Sequence, residues 1–203
     1  MKYLLFVCLF CCQLLTSQNN TNKCDSISTS SDKLQPLKPI TGIRVEDKLG
    51  TKKRLILSKY KVAKIGDVAY DFTAINVQGD SVKFSNAQGE FKLLIFTNSG
   101  CTGCVKSIVE LKIIAEHYKN RLSIVSFYRD REIKRVLESI KKENISWLCL
   151  WDGQNYFSST VIKYGVRGVP MFFLIDDKGI IVDSWTGYRE GIIKERICNL
   201  EEL

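Results

Sequence analysis

Thr97-Asn98-Ser99-Gly100-Cys101-Thr102-Gly103-Cys104-Val105-Lys106 is the stretch on which the reading turns. The apolar run Leu93-Leu94-Ile95-Phe96 leads into it. Val105, Ile108, Val109, Leu111, Ile113 and Ile114 lead out of it at helical spacing. Two cysteines therefore sit where a buried strand turns into a helix. The first turn of a helix has unpaired N–H groups and a partial positive charge. A thiolate there is stabilised, so more nucleophile is present near neutral pH. Cys101, at the helix start, reads as the attacking thiol, and Cys104, one turn in and more sheltered, as the thiol that resolves a mixed disulfide. A half zinc site and an ordinary disulfide are the bland alternatives. Zinc normally needs a second Cys/His pair. The single histidine, His117, lies deep in the following helix, and there is no second CxxC. No metal and no cofactor is expected.

Towards the N-terminus, Met1-Lys2-Tyr3 precedes an apolar core over residues 4–12, and Gln13-Leu14-Leu15-Thr16-Ser17 follows. One positive charge, a short apolar core and small residues at its end read as a secretory signal over residues 1–17, cleaved after Ser17. The core is too short to span a bilayer comfortably. A lipoprotein signal ending at Cys11 or Cys12 is the rival, although the residues before those cysteines are bulky for a lipobox. An uncleaved anchor is a third reading. Residues 18–35, rich in Ser, Thr, Asn and Asp, read as a disordered spacer. Residues 36–63 read as a basic β-hairpin-like extension, with strands over 42–48 and 54–58 about the turn Leu49-Gly50-Thr51-Lys52-Lys53. Lys52, Lys53, Arg54, Lys59, Lys61 and Lys64 make this region the most basic: a solvated face, or a contact for an anionic membrane surface or acidic partner.

The chain carries eight cysteines. Cys8, Cys11 and Cys12 belong to the signal. Cys24, Cys101, Cys104, Cys149 and Cys198 remain, an odd number, so this is no disulfide scaffold. Cys149, in the run Trp147-Leu148-Cys149-Leu150-Trp151, reads as a small buried hydrophobe. Cys198, on a helical face with Ile192, Ile193 and Ile197, reads the same way. Cys24 lies in a polar tail. The formal charge of +8 does not point to nucleic acid, because the basic residues show no interleaved aromatic pattern.

One domain over 64–203 is long enough to bury a sizeable core. The pattern predicts strands at 69–77, 81–84, 93–97, 122–128, 147–151, 171–175 and 180–185. It predicts helices at 103–118, at 130–143 with Asp130 as cap, at 158–164, and from 190 to the end. Strands alternating with helices imply an α/β sheet covered on both faces.

Gly165-Val166-Arg167-Gly168-Val169-Pro170-Met171-Phe172-Phe173-Leu174-Ile175-Asp176 carries a second signal. A proline directly before a buried strand cannot donate to the sheet. A cis X-Pro bond at a sharp turn accommodates it, as does a trans proline at a strand start. The CxxC at a strand-to-helix junction, this Val-Pro segment, and the Asp177-Lys178-Gly179 hairpin together resemble the thioredoxin fold over residues 64–203. The lead-in Ile65-Gly66-Asp67-Val68-Ala69-Tyr70-Asp71-Phe72, and the extra helix and strand between Cys104 and Pro170, resemble the exported TlpA/ResA-type branch.

The resemblance implies a thioredoxin-like α/β fold: a central mixed β-sheet flanked by helices, here with an N-terminal β extension. It implies that Pro170 is cis and lies against the cysteine pair. It implies that the Val169 backbone pairs with a substrate peptide by strand addition, and that Cys101 works through a mixed disulfide. Thr102 and Gly103, small residues beside Cys101, complete the substrate-binding set. The implied protein is a periplasmic or cell-envelope thiol–disulfide oxidoreductase. Its partners are disulfide-bonded or reduced substrate proteins and a membrane electron-donor protein.

The chain departs from that pattern at informative places. The usual Trp before the first cysteine is Gly100, and the proline of the lead-in is Tyr70. The Glu that many relatives carry three residues after the second cysteine is Ser107. The buried Asp that thioredoxins place on the preceding strand is Ile95. Both usual proton acceptors are absent, and Glu110 is one helical turn too far to serve. A redox-inactive peptide-binding module is the alternative this raises. A thiol peroxidase of the peroxiredoxin class needs Thr or Ser where Asn98 stands, and Thr97 is one residue off. A copper-delivery protein of the Sco type needs one more residue between the cysteines and a distal histidine, unlike His117. Thr102-Gly103 adds no positive charge beside Cys101, so a reductant or isomerase is expected rather than a strong oxidant.

Overall fold

The computed structural model describes residues 61–198, together with the backbone of two short strands upstream. These are β1 (Ile43–Glu46) and β2 (Lys52–Leu55), paired antiparallel with Ile43 opposite Leu55. The second strand starts two residues earlier than the sequence pattern suggests. The expected signal, the spacer, Cys24 and the rest of the extension up to residue 60 lie outside the described residues.

The main sheet is built from β3 (Thr73–Asn76), β4 (Ser81–Lys83), β5 (Phe91–Thr97), β6 (Leu122–Tyr128), β7 (Leu148–Trp151), β8 (Met171–Ile175) and β9 (Ile181–Thr186). Their spatial order is β4-β3-β7-β6-β5-β8-β9. The central β5, β6 and β7 run parallel, and the flanking pairings are antiparallel. Helices α1 (Thr102–His117), α2 (Ile133–Lys142), α3 (Ser159–Lys163) and α4 (Ile192–Ile197) complete a thioredoxin-like α/β fold with a mixed sheet. Among the described residues no helix is long and apolar enough to cross a membrane.

β5 and β6 read as near-continuous apolar runs because both faces of the parallel centre are covered. On one face Leu93, Ile95, Leu122, Ile124 and Phe172 pack with Leu111 and Ile114 of α1 and Ile193 and Ile197 of α4. On the other, Leu94, Phe96, Val125, Phe127 and Phe173 close over Val161 and Tyr164. Phe96 is central there, with the rings of Tyr164, Phe127 and Phe173 at 5.3, 5.4 and 5.9 Å. Each such buried side chain contributes about 1.5–3 kcal/mol. Tyr164 is wholly buried, and its hydroxyl donates to the Tyr70 carbonyl at 2.7 Å, which satisfies its one polar group.

Three expectations need correction. The strand placed over 69–77 starts only at Thr73. Upstream the chain follows another course: Val68 bridges Ile180, and the Ala69 N–H donates to the Gly179 carbonyl. Helix α2 starts at Ile133, its N-cap being Glu132 with no side-chain cap bond. Asp130, expected as that cap, is turned to Ser99 instead. Cys198 is not fully buried: it sits at the C-cap of α4, one residue past the buried Ile197, and its thiol donates to the Glu195 carbonyl at 3.1 Å. Cys149, by contrast, is buried as read, its thiol donating to the Trp147 carbonyl at 3.5 Å.

Candidate active site

Between β5 and α1 the chain turns over residues 98–101. Asn98 shapes the turn. Its side-chain carbonyl accepts from the Gly100 N–H at 2.9 Å, and its main-chain carbonyl from the Cys101 N–H at 3.1 Å. This local Asx bonding is characteristic of Asn in turns. Cys101 is then the N-cap of α1, with extended backbone (φ −92°, ψ 114°). The Cys104 N–H points at its sulfur, 3.1 Å away. An N-cap acceptor satisfies an orphan donor and meets the positive end of the helix, here one of 16 residues.

Cys101 and Cys104 are joined in a disulfide, their Cα atoms 5.2 Å apart. The pair is asymmetric: Cys101 is partly exposed and Cys104 is buried. Antiparallel pairing of β5 with β8 sets Phe96 opposite Met171, which brings the segment before β8 beside the cysteines. The Val169–Pro170 peptide is cis. The Val169 carbonyl oxygen lies 3.5 Å from the Cys101 sulfur, across 68 positions of sequence. A Cβ on Gly103 would stand 3.5 Å from Pro170 Cδ, so the proline ring rests on the first turn of α1. Thr102 is exposed beside them, Gly103 and Val169 are half-buried, and Pro170 is buried.

The positions where relatives carry a proton acceptor are otherwise engaged. The Ser107 hydroxyl is buried and donates to the Cys104 carbonyl at 2.7 Å. Ile95 belongs to the apolar core. Glu110 accepts from the main-chain N–H groups of Gly191 (3.2 Å) and Lys194 (2.8 Å), and so caps α4. Among the described residues no three or more His, Cys, Asp or Glu side chains gather as a metal site would need.

Two features have no local sequence signal. The first is that capping by Glu110, which joins residues more than eighty positions apart. The second is Asp130. Thr97 faces Tyr128 in the parallel β5–β6 register, so continuing both strands sets Ser99 across from Asp130. The buried Asp130 carboxylate accepts from the Ser99 N–H at 3.1 Å and from the Ser99 hydroxyl at 2.5 Å. Beside it the Arg129 N–H donates to the Thr97 carbonyl, and the buried Arg129 guanidinium lies 4.2 Å over the Tyr156 ring.

A cysteine pair at a helix N-terminus, faced by a cis-proline loop on this sheet, defines the class: an oxidoreductase of the thioredoxin type. The chain belongs to the Redoxin family, whose model matches residues 64–197. It is similar to the thiol-disulfide oxidoreductase ResA of Halalkalibacterium halodurans, at 23% identity over 144 residues, which cover 70% of this chain and 78% of that protein. This agrees with the TlpA/ResA-type resemblance in the motifs. Among solved structures it resembles a Chlorobium tepidum protein assigned as a thiol:disulfide interchange protein DsbE (TM-score 0.63, 24% identity, 69% of this chain and 97% of that one). It also resembles the thioredoxin domain of a thiol-disulfide oxidoreductase from Bacteroides vulgatus (TM-score 0.61, 22% identity, 68% and 96%). These two structures share the fold.

Proposed function

We propose that the protein is an exported thiol–disulfide oxidoreductase that reduces or isomerises disulfides of substrate proteins, with Cys101 as nucleophile and Cys104 as resolving thiol. The observation that carries this is the Cys101–Cys104 disulfide at the start of α1, with the Val169 carbonyl 3.5 Å from the Cys101 sulfur.

From the dithiol state, the Cys101 thiolate attacks one sulfur of a substrate disulfide. That S–S bond breaks, the other substrate sulfur leaves as a thiolate and takes up a proton, and a mixed disulfide forms. Cys104, deprotonated, then attacks the Cys101 sulfur and releases the second substrate thiol. Two electrons have passed to the substrate, and the Cys101–Cys104 bond has closed. The Cys104 N–H and the helix N-terminus stabilise the Cys101 thiolate. Val169 and Pro170 form the edge against which an extended substrate segment lies, and Thr102 and Gly103 leave the sulfur open to approach. Neither Ser107 nor Ile95 offers a carboxylate to take the Cys104 proton, so it passes to water. That favours a slow resolving step and weak turnover of model disulfides.

A membrane electron-donor protein is the partner we assign for regenerating the dithiol. Export rests on the signal-like residues 1–17. The catalytic unit is residues 64–203, with 18–35 as spacer and 36–63 as a hairpin extension.

A redox titration with alkylation and mass spectrometry of Cys101 and Cys104 tests the proposal. A midpoint near about −270 mV or below marks a reductant, and one near about −120 mV an oxidant. No disulfide at any poise overturns the enzyme reading. Cys104→Ser is expected to trap substrates covalently on Cys101. Peptide binding that survives loss of both cysteines, with no exchange in the parent, would favour a binding module.

A further inference from the structure

We propose that Asp130 is a positioning residue of the redox site. Through Ser99 it fixes the segment that presents Cys101, and its negative charge opposes the Cys101 thiolate and so favours the disulfide. The inference rests on the reading of Cys101 and Cys104 as an exchanging pair.

Asp130 lies just beyond β6 and is only 3% exposed. A carboxylate placed there is costly unless hydrogen-bonded. Both of its oxygens accept from one residue, Ser99, by its N–H and its hydroxyl. The other end of the residue is also held: the Asp130 main-chain carbonyl accepts from the Trp151 indole N–H of β7 at 2.7 Å. Asp130 thus ties the ends of β6 and β7 to the loop after β5. Ser99 stands two residues before Cys101, so their Cα atoms are at most about 7.6 Å apart. The intervening chain is pinned by the Asn98 bonds to Gly100 and Cys101, so a shift at Ser99 passes directly to the sulfur.

The charge has a consequence that a neutral tether would lack. The positive groups here that favour a thiolate are the start of α1, Arg135 of α2, and the Arg129 guanidinium, buried next to Asp130 in the chain. One Arg135 guanidinium nitrogen lies 3.9 Å from where a Gly100 Cβ would be. Asp130, in the loop after β6, is the buried negative group hydrogen-bonded to this segment and acts against them. A fixed anion near Cys101 raises the free energy of the thiolate, and hence of the reduced pair.

The experiment compares the full-length parent with Asp130→Asn and Ser99→Ala. It reads the dithiol–disulfide equilibrium against glutathione, the rate of Cys101 alkylation, and thermal stability. Asn keeps an acceptor for the Ser99 N–H and loses the charge. It is expected to shift the equilibrium about tenfold towards the dithiol, which is about 30 mV upward. Ser99→Ala keeps the charge and removes the hydroxyl. It is expected to change the alkylation and exchange rates several-fold with a smaller shift in equilibrium. An unchanged equilibrium in a folded Asp130→Asn overturns the electrostatic role, and an unchanged rate in Ser99→Ala overturns the positioning role. Should Asp130→Asn fail to fold, Ser99→Ala decides alone: a parent-like rate overturns the proposal and a changed rate supports it. A parent chain with no reversible Cys101–Cys104 couple overturns both this inference and the reading beneath it.

Discussion

Cys101 and Cys149 are both carried by the parallel central strands, Cys101 in the turn that follows β5 and Cys149 inside β7. Cys101 is partly exposed, caps a helix, and receives an N–H from Cys104. Cys149 is buried against Tyr128 and Val136, and its thiol reaches only the Trp147 carbonyl. Burial pushes the Cys149 thiol up to about 12. The side chains are identical, so the difference lies in what surrounds them. Inside a covered strand the thiolate loses water and gains no donor. Past the strand's end it keeps access to solvent and meets unpaired N–H groups. On the proposed function, one fold thus provides an inert cysteine and a reactive one, with only β6 between the strands that carry them.

The largest expected effect breaks the comparison outright if it fails. Cys101→Ser should reduce exchange with a peptide disulfide to the uncatalysed background, and Cys149→Ala should leave the exchange rate at the parental value. A loss of exchange in Cys149→Ala would mean that the two thiols are coupled. Next in size is alkylation of the reduced, native protein at pH 8. Cys101 should be labelled at least about a hundredfold faster than Cys149, which reacts only through opening of the fold. Mass spectrometry of timed samples reads this, and equal rates would erase the distinction.

Glu110→Ala separates the scaffold of α1 from the chemistry at its start. Losing the cap on α4 should lower stability in denaturant by about 1 kcal/mol, with the redox midpoint unmoved. The smallest effect is a pH slope. The folded-state pKa of Cys149 lies above its ordinary value of 9.0. Its contribution is therefore complete below pH 9 and is lost as pH rises towards about 12, because only the unfolded chain releases the proton. By pH 9 the loss is about half a kcal/mol. Cys149→Ala should flatten the stability curve there, measured by denaturant melts from pH 7 to 9.5. Tyr164 adds its own loss only at higher pH, since burial raises it from an ordinary value of 10.0.

Much of this was legible in the chain. Strand β5 followed by α1 was readable from Leu93-Leu94-Ile95-Phe96 and the helical spacing after Cys104, because burial on both faces leaves a continuous apolar run. Cys149 was readable from the apolar run that holds it. The Asn98–Gly100 bond is local and follows from Asn two residues before Gly. Asp130 misled, because a carboxylate three residues before the first apolar residue of a helical pattern has the form of a cap. The parallel register of β5 and β6 gave it another partner, and no local pattern encodes a register between strands that a helix separates. Glu110 was set aside as too far from Cys104 for proton transfer, and its bonds to Gly191 and Lys194 depend on α1 and α4 packing side by side on one face of the sheet.

The sequence by itself determined the class of the fold and the pair of cysteines at the helix start, because periodicity, turn chemistry and the CxxC spacing are properties of neighbouring residues. Tertiary structure decided which residues meet that pair; the family resemblance had pointed to Pro170, and nothing had pointed to Asp130. Val169 reaches the Cys101 sulfur from 68 positions away, Pro170 lies over Gly103, and Asp130 holds Ser99. The physical reason is that these contacts are set by which strands are neighbours and in what register. That choice belongs to the packing of the whole sheet and not to any one segment.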